Sequence, residues 1–209
     1  SSGRFIFDKN IIDEFIKFQI SRAESKKVPT VEKSEKRTPF KTGFGNMVPK
    51  YYDYKSDTEQ EARVEHLVKS LKYAHQEEKI GSISSPFSLT DVPTITASME
   101  TFLITVKHTN KFHGSLDPYC AEMVKYLADL SDVFLGAGQQ SRFIDPCNCI
   151  NPILRLEERT AGVMIERSKH GGNSSMCSMP LAGGNAPITL DGSIIQGTAE
   201  IVGGLIIQY

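Results

Sequence analysis

The sequence has almost no excess of charge of either sign. Its 24 Lys and Arg stand against 25 Asp and Glu, a formal balance of -1. That excludes the basic footprint of a nucleic-acid binder. Cysteine is scarce: Cys120, Cys147, Cys149 and Cys177 are spread over 209 residues. So few do not make the framework of a disulfide-stapled domain, and they read as reduced, mostly buried thiols of a cytoplasmic protein. Long apolar runs are missing as well. None approaches the roughly 18 residues of a membrane span, so no membrane is expected as a partner. No apolar stretch follows Ser1-Ser2-Gly3-Arg4 as a signal peptide requires, and the opening reads as the ragged edge of a longer chain. Two phosphate signatures are also absent. No Gly-x-Gly-x-x-Gly leads from a strand into a helix, and no Gly-Lys-Ser/Thr closes a P-loop. The near miss, Gly136-Ala137-Gly138-Gln139-Gln140-Ser141, lacks the third glycine and runs into a loop. What is present, 39% hydrophobic and 23% charged residues, is ordinary globular composition.

Apolar spacing predicts the elements. Residues 8–23 place Ile11, Ile12, Phe15, Ile16 and Phe18 on one helical stripe, with Asp8 as N-cap. Residues 24–57 hold three prolines and many Lys and Glu without a period, so they read as extended loop with a turn at 43–46. A helix is predicted over 58–77, with Val64, Leu67, Val68, Leu71 and Ala74 as its apolar face. A different rhythm starts near residue 79. Ile80–Ser84 reads as a strand, followed by a helix capped by Asp91 that carries Pro93 in its first turn. Ile95, Met99, Phe102, Leu103 and Val106 form its face. Lys111–Gly114 reads as a weak second strand, and Asp117-Pro118 opens a helix buried through Met123, Leu127 and Leu130. The third unit takes Val133–Leu135 as strand, then a polar loop, then a helix from Asn151-Pro152 through Leu154, Val163, Met164 and Ile165, stopped by Gly171-Gly172. The fourth takes Ser174–Ser178 as strand and a final helix through Ile194, Ile195, Ile201, Val202, Leu205 and Ile206.

Four successive βα units imply a parallel sheet with right-handed crossovers. The expected fold class is α/β, a TIM (βα)8-type barrel. An N-terminal helical and extended layer occupies residues 1–78 and about four βα units occupy 79–209. A whole barrel takes about 250 residues, and this chain stops inside the apolar Ile206-Ile207-Gln208-Tyr209. A fragment of a longer protein is therefore expected, one that is not a stable active monomer by itself and that forms a homo-oligomer at full length.

The most specific stretch is Met179-Pro180-Leu181-Ala182-Gly183-Gly184-Asn185-Ala186-Pro187-Ile188-Thr189-Leu190, running on to Ala199-Glu200 and Gly203-Gly204. It resembles the trimethylamine methyltransferase family, where a strand ends in Ala-Gly-x-x-x-Pro-x-Thr-Leu before a helix with Ala-Glu-x-x-x-Gly. Weaker segments agree in order: Phe44-Gly45-Asn46, Ser85-Pro86-Phe87, Asp91-Val92-Pro93, and Thr109-Asn110-Lys111, where Phe112 replaces a family proline. The resemblance covers roughly residues 40–209 and implies the fold just described. It also implies an enzyme that moves a methyl group from a methylated amine to the cob(I)alamin of a corrinoid protein. The amine would be trimethylamine or a quaternary amine such as glycine betaine. The corrinoid would be carried by that partner protein. Pyrrolysine, which the trimethylamine enzymes use, is not present in this segment, and the catalytic residues are expected beyond Tyr209.

A trimethylammonium head is best held by aromatic faces and carboxylates. Phe87, His113 and Phe143 stand at expected strand ends and are candidates for that role, though an aromatic there is more often core. Gly183, Gly184 and Asn185 are candidates for a substrate carboxylate or another anion. Small residues beside a helix start leave backbone N–H groups uncovered, though such loops often serve only to turn the chain. An enzyme binding an anion at the 182–187 loop is the first alternative. The second is a zinc-dependent methyl-donor enzyme, with Cys147, Cys149, His113 and Cys177 near strand ends, although Cys-x-Cys is no zinc signature and no metal is the main expectation. Gly197, Gly203 and Gly204 are expected to let the last helix approach its neighbours closely. Glu200 reads as an exposed flank residue or a partner in an interhelical ion pair.

Overall fold

The computed structural model describes residues 6–25, 40–45, 47–112, 116–137, 147–170 and 175–209. Helix α1 (Lys9–Ser25) starts as its sequence requires: the Asp8 carboxylate accepts the Asn10 N–H at 2.7 Å. Its stripe is real but mostly uncovered. Phe15 alone is buried, edge-on to the Tyr209 ring at 5.7 Å, while Ile11, Ile16 and Phe18 stay 42–47% exposed.

The segment read as loop contains strands. Strand β1 (Thr42–Phe44) lies parallel to β4 (Ile80–Ile83), with Thr42 opposite Ile80 and Phe44 opposite Ile83. Strands β2 (Lys50–Asp53) and β3 (Thr58–Glu61) pair as an antiparallel hairpin. That hairpin removes the first turn of the expected 58–77 helix. Thr58-Glu59-Gln60-Glu61 is exposed throughout and has nothing apolar to turn toward a core, whereas a hairpin gives its backbone partners. Helix α2 (Val64–Gln76) then buries Leu67, Leu71 and Ala74 at the spacing expected. Its cap comes from far away. The Asp91 carboxylate accepts the Val64 N–H at 3.1 and 3.2 Å, so Asp91 caps α2 and not the helix that follows it. That helix, α3 (Ala97–His108), begins later than Pro93.

Ile83 also donates its N–H to Lys111 O at 2.9 Å and bridges Phe112 in parallel, which sets β4 between β1 and residues 111–112. Residues Ala62, Leu67, Leu71, Ala74, Ile80, Ile83, Phe87 and Leu89 form one cluster, so the chain on either side of residue 78 shares a core. A second cluster joins Phe102 of α3 to Leu116 and to Leu127 and Ala128 of α4 (Ala121–Leu135). Val133–Leu135, expected as a strand, is the last turn of α4. Three apolar residues carry no period of their own, and a helix already under way extends through them more readily than a new strand starts. The third strand is instead β5 (Cys147–Ile150), inside the stretch read as polar loop. Helix α5 (Glu158–Lys169) likewise starts later than Asn151. Leu154 sits in a turn closed by Asn151 and Arg155, and it and Ile165 are 64% and 57% exposed.

Strand β6 (Ser175–Ser178) pairs in parallel with β5, Cys149 lying opposite Cys177. Helix α6 (Leu190–Gln208) follows, with Thr189 Oγ accepting the Gly192 N–H at 3.3 Å. A side chain at Gly204 would put Cβ 3.0 Å from Ile150 Cδ1 and 3.1 Å from Met176 Sδ, and one at Gly197 would lie 3.1 Å from Pro180 Cγ. Close approach is thus a fact at those two glycines, while at Gly203 the contact is an ordinary 3.8 Å. By length and composition alone α6 is apolar enough to cross a membrane; here one of its faces packs on β5 and β6. The architecture is mixed α/β, with strands 80–83, 147–150 and 175–178 in chain order and an isolated bridge at Phe112 beside the first of them. Among the described residues they form separate parallel pieces.

Candidate active site

Residues that follow β4 and β5, the 116–119 segment and the first turns of α3 and α5 line a shared hollow. Strand β4 runs on to Ser85 and Phe87, residues 111–112 run on to Leu116 and Asp117, and β5 runs on to Asn151. Helices α3, α4 and α5 begin at Ala97, Ala121 and Glu158. Between them lies a cavity of about 280 Å³ walled by Phe87, Leu89, Leu116, Tyr119, Ser98, Asp117 and Arg159, among others. A second cavity of about 210 Å³ is walled by Asn148, Cys149, Asn151, Glu157 and Thr160 and shares Asp117 and Arg159 with the first.

The shared wall is an ion pair. Arg159 Nη1 donates to Asp117 Oδ1 at 3.3 Å and to Pro118 O at 3.1 Å. The Ser98 hydroxyl donates to Asp117 O, which ties the start of α3 to the same corner. Both charged side chains are about half exposed, at 45% and 46%, so the pair contributes little to stability and is free to meet a ligand. The first cavity is mostly apolar with one carboxylate and one guanidinium at its edge. On the far side of the second, Asn151 Nδ2 donates to Glu157 Oε1 at 2.6 Å. Cys120 sits just after Tyr119. Its thiol is held above the ordinary range, first because it donates to the Glu122 carboxylate and then by desolvation, and the same bond lowers Glu122.

Phe87 is both core and cavity wall. It belongs to the first cluster, stands edge-on to Tyr51 at 6.0 Å, and lines the larger cavity. His113 and Phe143 lie outside the described residues. Gly183, Gly184 and Asn185 line neither cavity. The expectation of uncovered N–H groups there is corrected. Gly183 donates to Ala186 O at 3.0 Å, Gly184 and Ala186 to Leu181 O at 2.9 and 3.2 Å. Asn185 Oδ1 accepts the Leu181 N–H at 2.6 Å. The loop satisfies itself as a tight turn, with Gly183 at φ 77, and those donors point inward. Glu200 is a further correction. It is 1% exposed, accepts Leu154 N–H at 3.0 Å and Gln196 Nε2 at 3.1 Å, and also takes the Ser178 hydroxyl. It is not an exposed flank, and among the described residues it has no ion-pair partner on another helix. Among the described residues no three His, Cys, Asp or Glu side chains converge as a metal-ligand set.

Asp117, Tyr119, Arg159 and Glu157 were not visible as site residues in the sequence. Asp117 carries a helix-opening signal, and its partner lies 42 residues on. No local pattern links the two.

Comparison with known proteins closes the description of the site. The family model for trimethylamine methyltransferase matches residues 7–208. The trimethylamine methyltransferase MttB of Methanosarcina barkeri strain Fusaro is 26% identical over 172 residues, 79% of this chain and 34% of its own length. MttB of Methanosarcina thermophila is 27% identical over 171 residues, 79% of this chain and 35% of its own. MttB1 of Methanosarcina acetivorans is 25% identical over 168 residues, 78% and 34% of the two. The chain spans about a third of the length of these curated relatives.

Proposed function

The chain belongs to the trimethylamine methyltransferase family, and from that premise we propose that the larger cavity holds a methylated amine and presents its methyl group for transfer to a corrinoid protein. The carrying observation is the cavity itself. Aromatic and aliphatic walls from Phe87, Tyr119, Leu89 and Leu116 meet a single carboxylate, Asp117, where strands end and helices start. In a TIM barrel, the architecture this reading adopts for the full-length protein, that side is the catalytic face.

Each wall has a task that suits a methylated ammonium. Apolar surface excludes water from the methyl groups, and the Tyr119 and Phe87 rings offer their negative faces to the cation. Asp117 attracts the cation, and Arg159 fixes the direction in which the carboxylate points. Held this way, one methyl group is kept in line for displacement, which converts a bimolecular encounter into an oriented step. The corrinoid, when its carrier protein docks, supplies the cobalt nucleophile that takes the methyl group. Trimethylamine is the substrate this reading favours, with activation of the tertiary amine assigned to residues outside this chain. Glycine betaine is a second reading on one observation: Arg159 stands beside Asp117, where a carboxylate-bearing quaternary amine would meet it.

The test is methylation of the cognate cob(I)alamin protein by the full-length enzyme with a panel of trimethylated amines, read from the visible spectrum of cobalt. Turnover with one of them, weakened by substitution of Tyr119 or Asp117, is expected. No turnover with any of them overturns the proposal.

A further inference from the structure

We propose that Cys149 and Cys177 are a dithiol modification site, one that exchanges with low-molecular-mass disulfides and closes to a cross-strand disulfide between β5 and β6. The parallel register sets these two residues directly opposite each other, and their sulfurs are 3.1 Å apart. Neighbouring strands lie about 4.7–4.9 Å apart, inside the roughly 4.4–6.8 Å that a disulfide needs between its Cα atoms. Closing the bond brings the sulfurs about 1 Å nearer, to ~2.05 Å, by side-chain rotation with the strands left where they are.

Alternation along the strands fixes the face. Ile150 and Met176 pack on Gly204 of α6, and Ser178 bonds to Glu200 of the same helix. Cys149 and Cys177, one residue off in each strand, therefore turn to the opposite side. Cys149 is exposed and Cys177 partly so, which leaves them open to a small reagent. Cys149 also lines the smaller cavity, so the reagent has a way in. Cys120 is the internal contrast: its thiol is engaged with Glu122 and has no cysteine across from it in a strand register.

The exchange balances. The Cys149 thiolate attacks one sulfur of the disulfide RSSR, its S–S bond breaks, and RS⁻ leaves, so that Cys149 carries SR. The Cys177 thiolate then attacks the Cys149 sulfur and expels the second RS⁻. Two protein thiols are oxidised, one RSSR is reduced, and the two thiol protons end on two RSH. This site is independent of the amine reading.

The experiment treats the purified full-length protein with oxidised glutathione, alkylates the remaining thiols, and reads intact mass and peptide maps. The expected result is loss of two titratable thiols and of two hydrogens in mass, with a Cys149–Cys177 linked peptide, reversed by dithiothreitol. Cys147→Ser should close in the same way, whereas Cys149→Ser and Cys177→Ser should each stop at a glutathione adduct. A link from Cys149 to Cys147, stable glutathione on both Cys149 and Cys177, or an unchanged thiol count overturns the proposal.

Discussion

Replacing Glu200 with alanine should destabilise the folded chain by about 2–3 kcal/mol, and the reasoning follows its partners one by one. The carboxylate is 1% exposed and accepts from Leu154 N–H, Gln196 Nε2 and the Ser178 hydroxyl. Hydrogen bonds to a charged acceptor contribute about 1.5–3 kcal/mol each, and a stranded buried donor costs about 1–3 kcal/mol. Two of the three donors have another outlet. Gln196 Nε2 also reaches Asn185 O at 2.9 Å, and a hydroxyl rotates. Only the Leu154 N–H is left without a replacement. Alanine also recovers the desolvation of the buried carboxylate, which offsets part of the loss. Glutamine separates charge from geometry. Its oxygen can face Leu154 and Gln196 while its amide donates to Ser178 Oγ, so Glu200→Gln should stay within about 1 kcal/mol of the parent. Urea unfolding followed by circular dichroism measures both. Amide exchange adds a local readout, because freeing Leu154 should quicken exchange in the 151–155 turn that carries Asn151 on the wall of the smaller cavity. If alanine unfolds within about 0.5 kcal/mol of the parent, as surface changes do, or if alanine and glutamine are equal, the bonding scheme is wrong.

Other substitutions probe separate links. Asp91→Ala should cost about 1 kcal/mol by uncapping α2, and Asp91→Asn should retain most of it; thermal melts decide. Gly204→Ala gains about 1 kcal/mol of helix propensity but forces a Cβ to 3.0 Å from Ile150, so a net loss of about 1 kcal/mol is expected in the same assay. Tyr119→Ala, at a position 51% exposed, should raise KM for the amine in the full-length enzyme while leaving the melting temperature nearly unchanged. Glu122→Gln removes the carboxylate that holds the Cys120 thiol protonated, so the thiol titrates at lower pH. The pH profile of Cys120 alkylation should then move to lower pH, and an unmoved profile would show that the Cys120–Glu122 bond is absent.

Features carried by local spacing were legible in the sequence. The apolar period of α2, the strand runs at 80–83 and 175–178, the Asp8 cap and the 179–205 motif all depend on residues a few positions apart, and all are present, whereas the face expected of α6 leaves Ile194 and Ile195 56% and 69% exposed and buries Gly197, Glu200 and Gly204 instead. The motif sufficed for the family. Features that need a distant partner were not legible. Strand β1 exists because β4 offers it hydrogen bonds, and β5 because β6 does; a three- or four-residue stretch has no strand identity without that neighbour. Asp91 reads as the cap of the helix after it and instead caps one that starts 27 residues earlier. Gly183 and Gly184 read as open donors, yet Leu181 and Ala186 carbonyls already take their N–H groups. Glu200 reads as surface because a carboxylate rarely is anything else, and it is buried because donors from the 151–155 turn, from β6 and from its own helix converge on it. Asp117 and Arg159 meet only when α4 and α5 pack together. The sequence by itself determined the periodic elements and the family, since both are written in short-range order. The tertiary structure decided which polar groups face a cavity and which face each other, because hydrogen bonds and ion pairs are satisfied by whatever the fold brings within about 3 Å.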